Sequence, residues 1–359
     1  MSKFLSARFE NLEPYVPGEQ PKDREYIKLN SNETSMPPSP EVLKVLKSER
    51  MNKLGFYTNP DATELIDALA ERYNVDSDEV FIGNGSDEVL SMIFLAFFER
   101  PAKVAILDIT YPFYRVFSKS FNVDAKVVPL KDNFEVDVDG LINSGCHIVV
   151  ANPNAPTGLS LPLSEIERMI KSDPNRLVIV DEAYIDFDKD TESAISLIDK
   201  YDNLIVVHTM SKSRNIAGAH IGYAIACKEL IKDLNGLRYA YNPYILSDLS
   251  VAVATAAVKD RAYNEKHVAQ IIENREYFKV EMKKLGFFVM DTKTNFVFVS
   301  HKDISAVDYT RKLRERAILV RHYDKPRVDN FVRITIGTRE EMEAVVRATV
   351  EILRSLKAA

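Results

Sequence analysis

Between residues 40 and 245 the chain repeats one alternation: a short run of Val, Ile and Leu, a stretch of helical period, then another such run. The runs are Val80–Ile82, Val104–Leu107, His147–Ala151, Leu177–Val180, Leu204–Val207 and Ile221–Ala226. They are nearly continuous in apolar residues. A strand with one face in water would alternate; continuity fits strands covered on both faces. Between them lie helix-period segments, including Ser86–Phe98, Tyr114–Phe121 and Ser164–Ile170. The alternation predicts a large doubly wound α/β domain with a mostly parallel sheet.

The flanks read differently. Pro14, Pro17, Gly18, Pro21, Pro37, Pro38 and Pro40 break regular structure near the start, so residues 1–40 read as an extended arm. The large domain then covers 41–245. Residues 246–283 read as mostly helical. After Gly286, strand signals at Phe287–Met290, Asn295–Ser300, Ile318–Arg321 and Phe331–Ile336 combine with helices at 304–316 and 339–356. Residues 246–359 are therefore expected to form a linking helix and a small α+β domain. A length of 359 residues suits such a division.

Composition excludes several function classes. Lys plus Arg is 47 against 53 for Asp plus Glu, a net charge of −6, so the basic footprint of a nucleic-acid binder is missing. Cys146 and Cys227 are too few for a disulfide framework or a Cys-rich zinc site, and the histidines lack metal spacing. The start, MSKFLSARFENLEPY, lacks the apolar core of a signal peptide, and no uncharged apolar run reaches membrane-spanning length. A cytoplasmic protein with reduced thiols, no metal, no membrane and no nucleic-acid partner is expected.

Four loops that follow or end strands carry candidate chemistry. Gly83-Asn84-Gly85-Ser86-Asp87-Glu88 links a strand to a helix, where free N–H groups favour an anion. A third glycine of the dinucleotide fingerprint is missing, since Glu88 stands there. Taken alone, an ordinary turn explains this loop better. Asn152-Pro153-Asn154-Ala155-Pro156-Thr157-Gly158 is a rigid loop at a strand's carboxyl end, where ligands sit in open parallel sheets. Asp181 and Glu182 end an apolar strand, with Tyr184 close behind. A carboxylate there is usually a cap or surface charge, but it can also hold a cationic group. Thr209-Met210-Ser211-Lys212-Ser213-Arg214 follows another strand. Most lone lysines are solvated; one in a covered pocket can lose its proton and form a Schiff base with an aldehyde.

One ligand joins these four. Pyridoxal phosphate carries a phosphate, a pyridinium nitrogen, a phenolic oxygen and an aldehyde. Its binding rule is a lysine Schiff base with an acidic or basic partner at the ring nitrogen. The chain offers a helix N-terminus, Asp181, Tyr184 with Asn154, and Lys212. Arg333 shares a strand face with Phe331 and Thr335, and a charge among such neighbours calls for an anionic partner.

From Lys28-Leu29-Asn30-Ser31-Asn32-Glu33 to Arg333-Ile334-Thr335-Ile336-Gly337-Thr338, nearly its whole length, the sequence resembles the fold-type-I pyridoxal-phosphate aminotransferases. More narrowly it resembles the histidinol-phosphate aminotransferase group. The resemblance implies a homodimer with active sites at the subunit interface. It also implies amino transfer between histidinol phosphate and glutamate, through 2-oxoglutarate, in histidine biosynthesis. It assigns Lys212 to the cofactor aldehyde, Asp181 to the pyridine nitrogen and Tyr184 to the phenolic oxygen. Tyr111, in Thr110-Tyr111-Pro112, stacks on the ring, while Gly85, Ser86, Asp87 and Ser211 cradle the phosphate. Tyr57, in Phe56-Tyr57-Thr58-Asn59-Pro60, reaches the partner's phosphate; Tyr15, Arg321 and Arg333 meet the substrate. Two positions depart from the pattern. Ala155 stands where the family has an asparagine, so that role passes to Asn154. His220 stands where the family has a phosphate-binding arginine, and either Arg214 or a protonated His220 compensates. The same groups would also serve a threonine-phosphate decarboxylase or an aromatic aminotransferase. A protein that binds the cofactor without turnover is the alternative of another class.

Overall fold

The computed structural model describes every residue except 1–2, 7–8, 10–17, 54, 100 and 358–359. The chain opens with a short strand, β1 (Ile27–Lys28), and the helices α1 (Pro40–Leu46) and α2 (Thr63–Tyr73). Then come β2 (Val80–Gly83), α3 (Gly85–Phe97), β3 (Lys103–Leu107), α4 (Phe113–Ser120) and β4 (Asp124–Val128). They are followed by α5 (Val138–Ile142), β5 (His147–Ala151), α6 (Leu163–Lys171), β6 (Val178–Asp181), β7 (Leu204–Thr209) and β8 (Gly222–Ala226).

Strands β2 to β8 form one seven-stranded sheet in the order β2-β8-β7-β6-β5-β3-β4. The pairs β7/β6, β6/β5, β5/β3 and β3/β4 are parallel, while β8 runs antiparallel to both β2 and β7. The expected α/β architecture is present, with one reversed strand in the sheet. Every residue of β2, β6, β7 and β8 is buried, which is why these segments read as continuous apolar runs. The exception is β4, Asp-Ala-Lys-Val-Val, which escapes a search for apolar runs. It lies at the sheet edge with only its last residue buried, and its charged side chains keep the open edge from pairing with another chain.

The second half continues with α7 (Lys228–Tyr241), α8 (Asp248–Lys259) and the 24-residue α9 (Arg261–Lys284). Next come β9 (Phe288–Val289), β10 (Phe296–Ser300), α10 (Ala306–Glu315), β11 (Ile318–Leu319), β12 (Arg321–His322), β13 (Val332–Thr335) and α11 (Arg339–Lys357). An antiparallel sheet of order β12-β13-β10-β9 packs against α9, α10 and α11 through Phe278, Met282, Leu313, Ile334 and Val345. Leu29 joins this second core, and β1 pairs in parallel with β11. The segment before residue 40 is thus sewn to the C-terminal part of the chain. Helix α8 instead sends Val251, Ala254 and Val258 into the core beneath the large sheet, while α9 gives Ile271, Phe278 and Met282 to the second core.

Candidate active site

The site lies at the carboxyl ends of β5, β6 and β7, where Ala151, Asp181 and Thr209 border a cavity of about 250 Å³. Gly85, Ser86 and Asp87 close it from the start of α3. Lys212, Ser211, Tyr111, Tyr184 and His220 complete the wall. The sheet order brings these distant segments together, because β6 and β7 are neighbours and β8 carries the chain back past α3.

At the start of α3 the backbone is laid bare. Gly85 has φ +82°, and a Cβ there would strike the His220 imidazole at 2.6 Å. A Cβ on Gly222, in β8, would sit 2.2 Å from the Ser86 nitrogen. Two glycines therefore let a strand and a ring close directly on the helix N-terminus, whose N–H groups and dipole favour an anion. His220 Nδ1 lies 3.3 Å from Asn84 Oδ1.

Asp181 sits at the cavity's inner end, and burial pushes its carboxyl up to about 6. Two donors work against that burial: the Tyr114 hydroxyl at 2.7 Å and the Ala183 amide at 3.2 Å. The Lys212 ammonium is pushed down to about 8, first by desolvation and then by the Arg333 guanidinium. At neutral pH a useful fraction of this amine is unprotonated, ready to act as nucleophile or base. Tyr111 donates to Asp87 Oδ1 at 2.8 Å, which fixes its ring on the wall. The Tyr184 hydroxyl accepts from Asn32 at 2.8 Å, so its own proton is left to donate into the cavity.

A second chamber of about 660 Å³ adjoins the first and shares Ser31, Glu33, Tyr111, Ala155, Tyr184 and Lys212 with it. Arg321 and Arg333 line it. They lie directly opposite one another on β12 and β13, so two guanidinium-bearing residues share one cross-strand position. Arg333 donates to the Asn30 carbonyl at 2.9 Å, while its buried Nε has no hydrogen-bond partner. A buried orphan donor of this kind asks for a ligand acceptor.

Of the residues singled out in the sequence, Lys212, Asp181, Tyr184, Tyr111, Gly85, Ser86, Asp87, Ser211 and His220 meet around the first cavity. Asn154 is brought near but does not face it. Its amide donates to the Ile109 carbonyl and the Thr157 hydroxyl, both at 3.0 Å, and accepts from Thr110 at 2.8 Å, which leaves Ala155 on the wall. Arg214 also turns away, pairing with Asp186 at 3.4 Å. Tyr57 lies outside its own chain's cavity, 84% exposed and stacked on Tyr244 at 4.5 Å between ring centroids. Tyr15 falls outside the described residues. Sequence reasoning missed Tyr114 and Asn32; Tyr114, in the first turn of α4, carried no signal of its role, since only the fold brings Asp181 to its hydroxyl.

Residues 24–348 match the family model "Aminotransferase class I and II". A histidinol-phosphate aminotransferase from Brachyspira hyodysenteriae is 45% identical over 355 residues, 99% of this chain and 100% of that protein. One from Clostridium acetobutylicum is 45% identical over 342 residues, 95% of this chain and 97% of its own length. The crystal structure of histidinol-phosphate aminotransferase from Sinorhizobium meliloti, in complex with pyridoxal-5'-phosphate, superposes with a TM-score of 0.87 at 25% identity. It is matched over 99% of this chain and 100% of that one. Pyridoxal 5'-phosphate is the cofactor of this family and suits the chemistry of the cavity. With the match running almost from end to end, the chain belongs to the aminotransferase class I and II family.

Proposed function

We propose that this chain transfers an amino group between histidinol phosphate and 2-oxoglutarate, in the histidine biosynthesis of the cytoplasm, using pyridoxal 5'-phosphate. The observation that carries the reading is one cavity in which an amine of lowered basicity, Lys212, a buried carboxylate, Asp181, and a bare helix N-terminus all face the same space.

The residues fit the cofactor. Gly85, Ser86 and Asp87, with Ser211, would receive its phosphate, and the Gly222 close approach leaves that cradle open to an anion. His220 faces the same end, in the place assigned to the family's arginine. Asp181 would sit at the ring nitrogen, Tyr184 at the phenolic oxygen, and Tyr111 against the ring face. Asn154 then acts by holding the loop that carries Ala155, and Arg214 by anchoring the Lys212 loop to Asp186.

When bound, the cofactor supplies an electron sink that eases loss of the substrate's Cα proton. The chain's own residues do the rest. Lys212 carries the proton between carbon positions, since its lowered basicity lets one amine both take and return it near neutral pH. Asp181, held by Tyr114 and Ala183, keeps a negative charge at the far end of the cavity. Arg333 and Arg321 grip the substrate anion, phosphate in one half-reaction and carboxylate in the other. We assign the cofactor groups to the 41–245 domain and the two arginines to the 246–359 domain.

The active assembly we propose is a homodimer. Phe56, Tyr57 and Tyr241 are exposed at 80%, 84% and 65%, an aromatic surface suited to a second copy, and Tyr57 then serves the partner's phosphate. The test is direct. Glutamate should bleach the visible absorbance of the cofactor-loaded protein, and imidazole acetol phosphate should restore it better than phenylpyruvate. Bleaching with phenylpyruvate preferred would favour an aromatic aminotransferase; no response to glutamate would remove the transaminase reading.

A further inference from the structure

Asn32 is buried and hydrogen-bonded to three other segments of the chain. Its backbone N–H donates to the Thr335 hydroxyl oxygen at 3.0 Å, and its carbonyl accepts from the Asn295 side-chain amide at 3.0 Å. Its side chain accepts from the Thr335 hydroxyl at 3.3 Å and donates to the Tyr184 hydroxyl at 2.8 Å. The preceding residues run along the same strand. The Asn30 carbonyl accepts from Arg333, and the Leu29 carbonyl accepts from the Thr335 backbone N–H. Residues 29–32 thus sew β13, which carries Arg333, to Tyr184 just past β6. Asn32 does not border the first cavity, so it reaches that space through Tyr184.

The direction of the Asn32 amide follows from its partners. Thr335 is fully buried, and among the described residues Asn32 Oδ1 is the acceptor for its hydroxyl proton. Turning the amide over would set an N–H against Thr335, orphan that buried proton and face Tyr184 with a carbonyl. The Tyr184 proton would then point at Asn32 instead of the cavity.

We propose that Asn32 and Thr335 are positioning residues: Thr335 sets the Asn32 amide, which holds the Tyr184 hydroxyl as a donor aimed at the cofactor's phenolic oxygen. The inference rests on the function proposed above, in which neither residue has a role. A hydroxyl that accepts one hydrogen bond donates a stronger one. A donor at the phenolic oxygen stabilises its negative charge, so the neighbouring Lys212 nitrogen releases its proton at lower pH. Arg333 from β13, Asp181 from β6, Asp87 from α3, Tyr111 before α4 and Glu33 share this space. Neutral changes at positions 32 and 335 leave those groups in place.

The test is a pH titration of the visible absorbance of the cofactor-loaded protein. Asn32→Gly suits the left-handed backbone there, φ +54°, and removes the amide. It should raise the midpoint by about 0.5–1 pH unit. Tyr184→Phe should raise it at least as far, and adding Asn32→Gly to Tyr184→Phe should move it less than about 0.2 pH unit further. Thr335→Val keeps the side chain's shape and frees the amide to turn over, so it should shift the midpoint the same way. Thr335→Ser keeps the hydroxyl and should match wild type; this pair decides the matter should Asn32→Gly fold poorly. Two results would overturn the inference while leaving Tyr184 in its place: an Asn32→Gly shift undiminished in the Tyr184→Phe background, or unmoved midpoints in Asn32→Gly and Thr335→Val when Tyr184→Phe does move. An unmoved midpoint in Tyr184→Phe itself would sink both the Tyr184 assignment and the inference. Silence toward glutamate would remove the transaminase reading alone, since the titration needs only the bound cofactor.

Discussion

The Tyr114 hydroxyl donates to Asp181 Oδ2 at 2.7 Å, joining the first turn of α4 to the end of β6 where both are buried. Tyr114 lies three residues beyond Tyr111, which just precedes α4, so one short segment supplies both the ring against the cavity wall and the donor behind the carboxylate. In Tyr114→Phe the buried carboxylate loses one of its two donors. We expect a stability loss of about 1–3 kcal/mol and a further rise in the Asp181 pKa. With the charged form serving the ring nitrogen as proposed, the acid limb of the pH–rate profile should move upward. A profile identical to wild type would show that the bond does not tune Asp181.

Burying the Asp181 carboxyl costs stability at neutral pH. Its carboxyl is raised from 3.8 to about 6, so the folded protein binds this proton more tightly than the unfolded chain. Stability from this group is therefore intact below about 4, falls as pH rises toward 6, and stays lower above. In cofactor-free protein, Asp181→Asn should stabilise the fold at pH 7 by on the order of 2–3 kcal/mol at most, read as a higher melting temperature, and leave stability unchanged near pH 4. Thermal melts at the two pH values decide it; equal shifts at both would argue against a charge effect.

Lys212→Ala should lose the visible absorbance of the lysine-bound cofactor and lower turnover by at least about 10³-fold. Cofactor binding by dialysis should survive in part, because the phosphate cradle remains. A clean variant that keeps both absorbance and turnover would refute the assignment.

Arg333→Ala should raise KM for glutamate and histidinol phosphate by about 10- to 100-fold while cofactor affinity changes far less. Its orphaned Nε and its place opposite Arg321 motivate the expectation. Equal losses of substrate and cofactor would instead mark Arg333 as a structural residue.

His220→Arg should slow cofactor loss on gel filtration by about 5-fold, because a guanidinium grips a phosphate with two parallel donors where the imidazole offers one. Unchanged retention would mean that the cradle N–H groups and Ser211 already satisfy the phosphate.

Much of this was legible in the chain itself. Doubly covered strands leave continuous apolar runs, so β2, β5, β6 and β7 could be read directly, as could the loops that end them. The edge strand β4 could not, because four of its five residues are exposed and follow no burial pattern. The reversal of β8 was equally hidden, since direction leaves no trace in composition. In the site, residue type revealed Lys212, Asp181 and Arg333, whose chemistry is unusual for their surroundings. Asn154 misled for a physical reason: an amide in a Pro-rich loop looks available, yet the loop consumes it. Tyr114 was passed over because a tyrosine amid Phe113 and Phe117 reads as packing, and only the fold brings Asp181 to its hydroxyl.

The contact between Gly222 and the Ser86 nitrogen leaves no room for even one methyl group. Alanine at position 222 would wedge β8 off α3 and tilt the anion cradle away from Lys212. The sheet's reversed strand is in this way a spacer: its thinness sets how far the phosphate end of the pocket stands from the amine, and a chain that thickened it would lose the register between the two without altering a single reactive group.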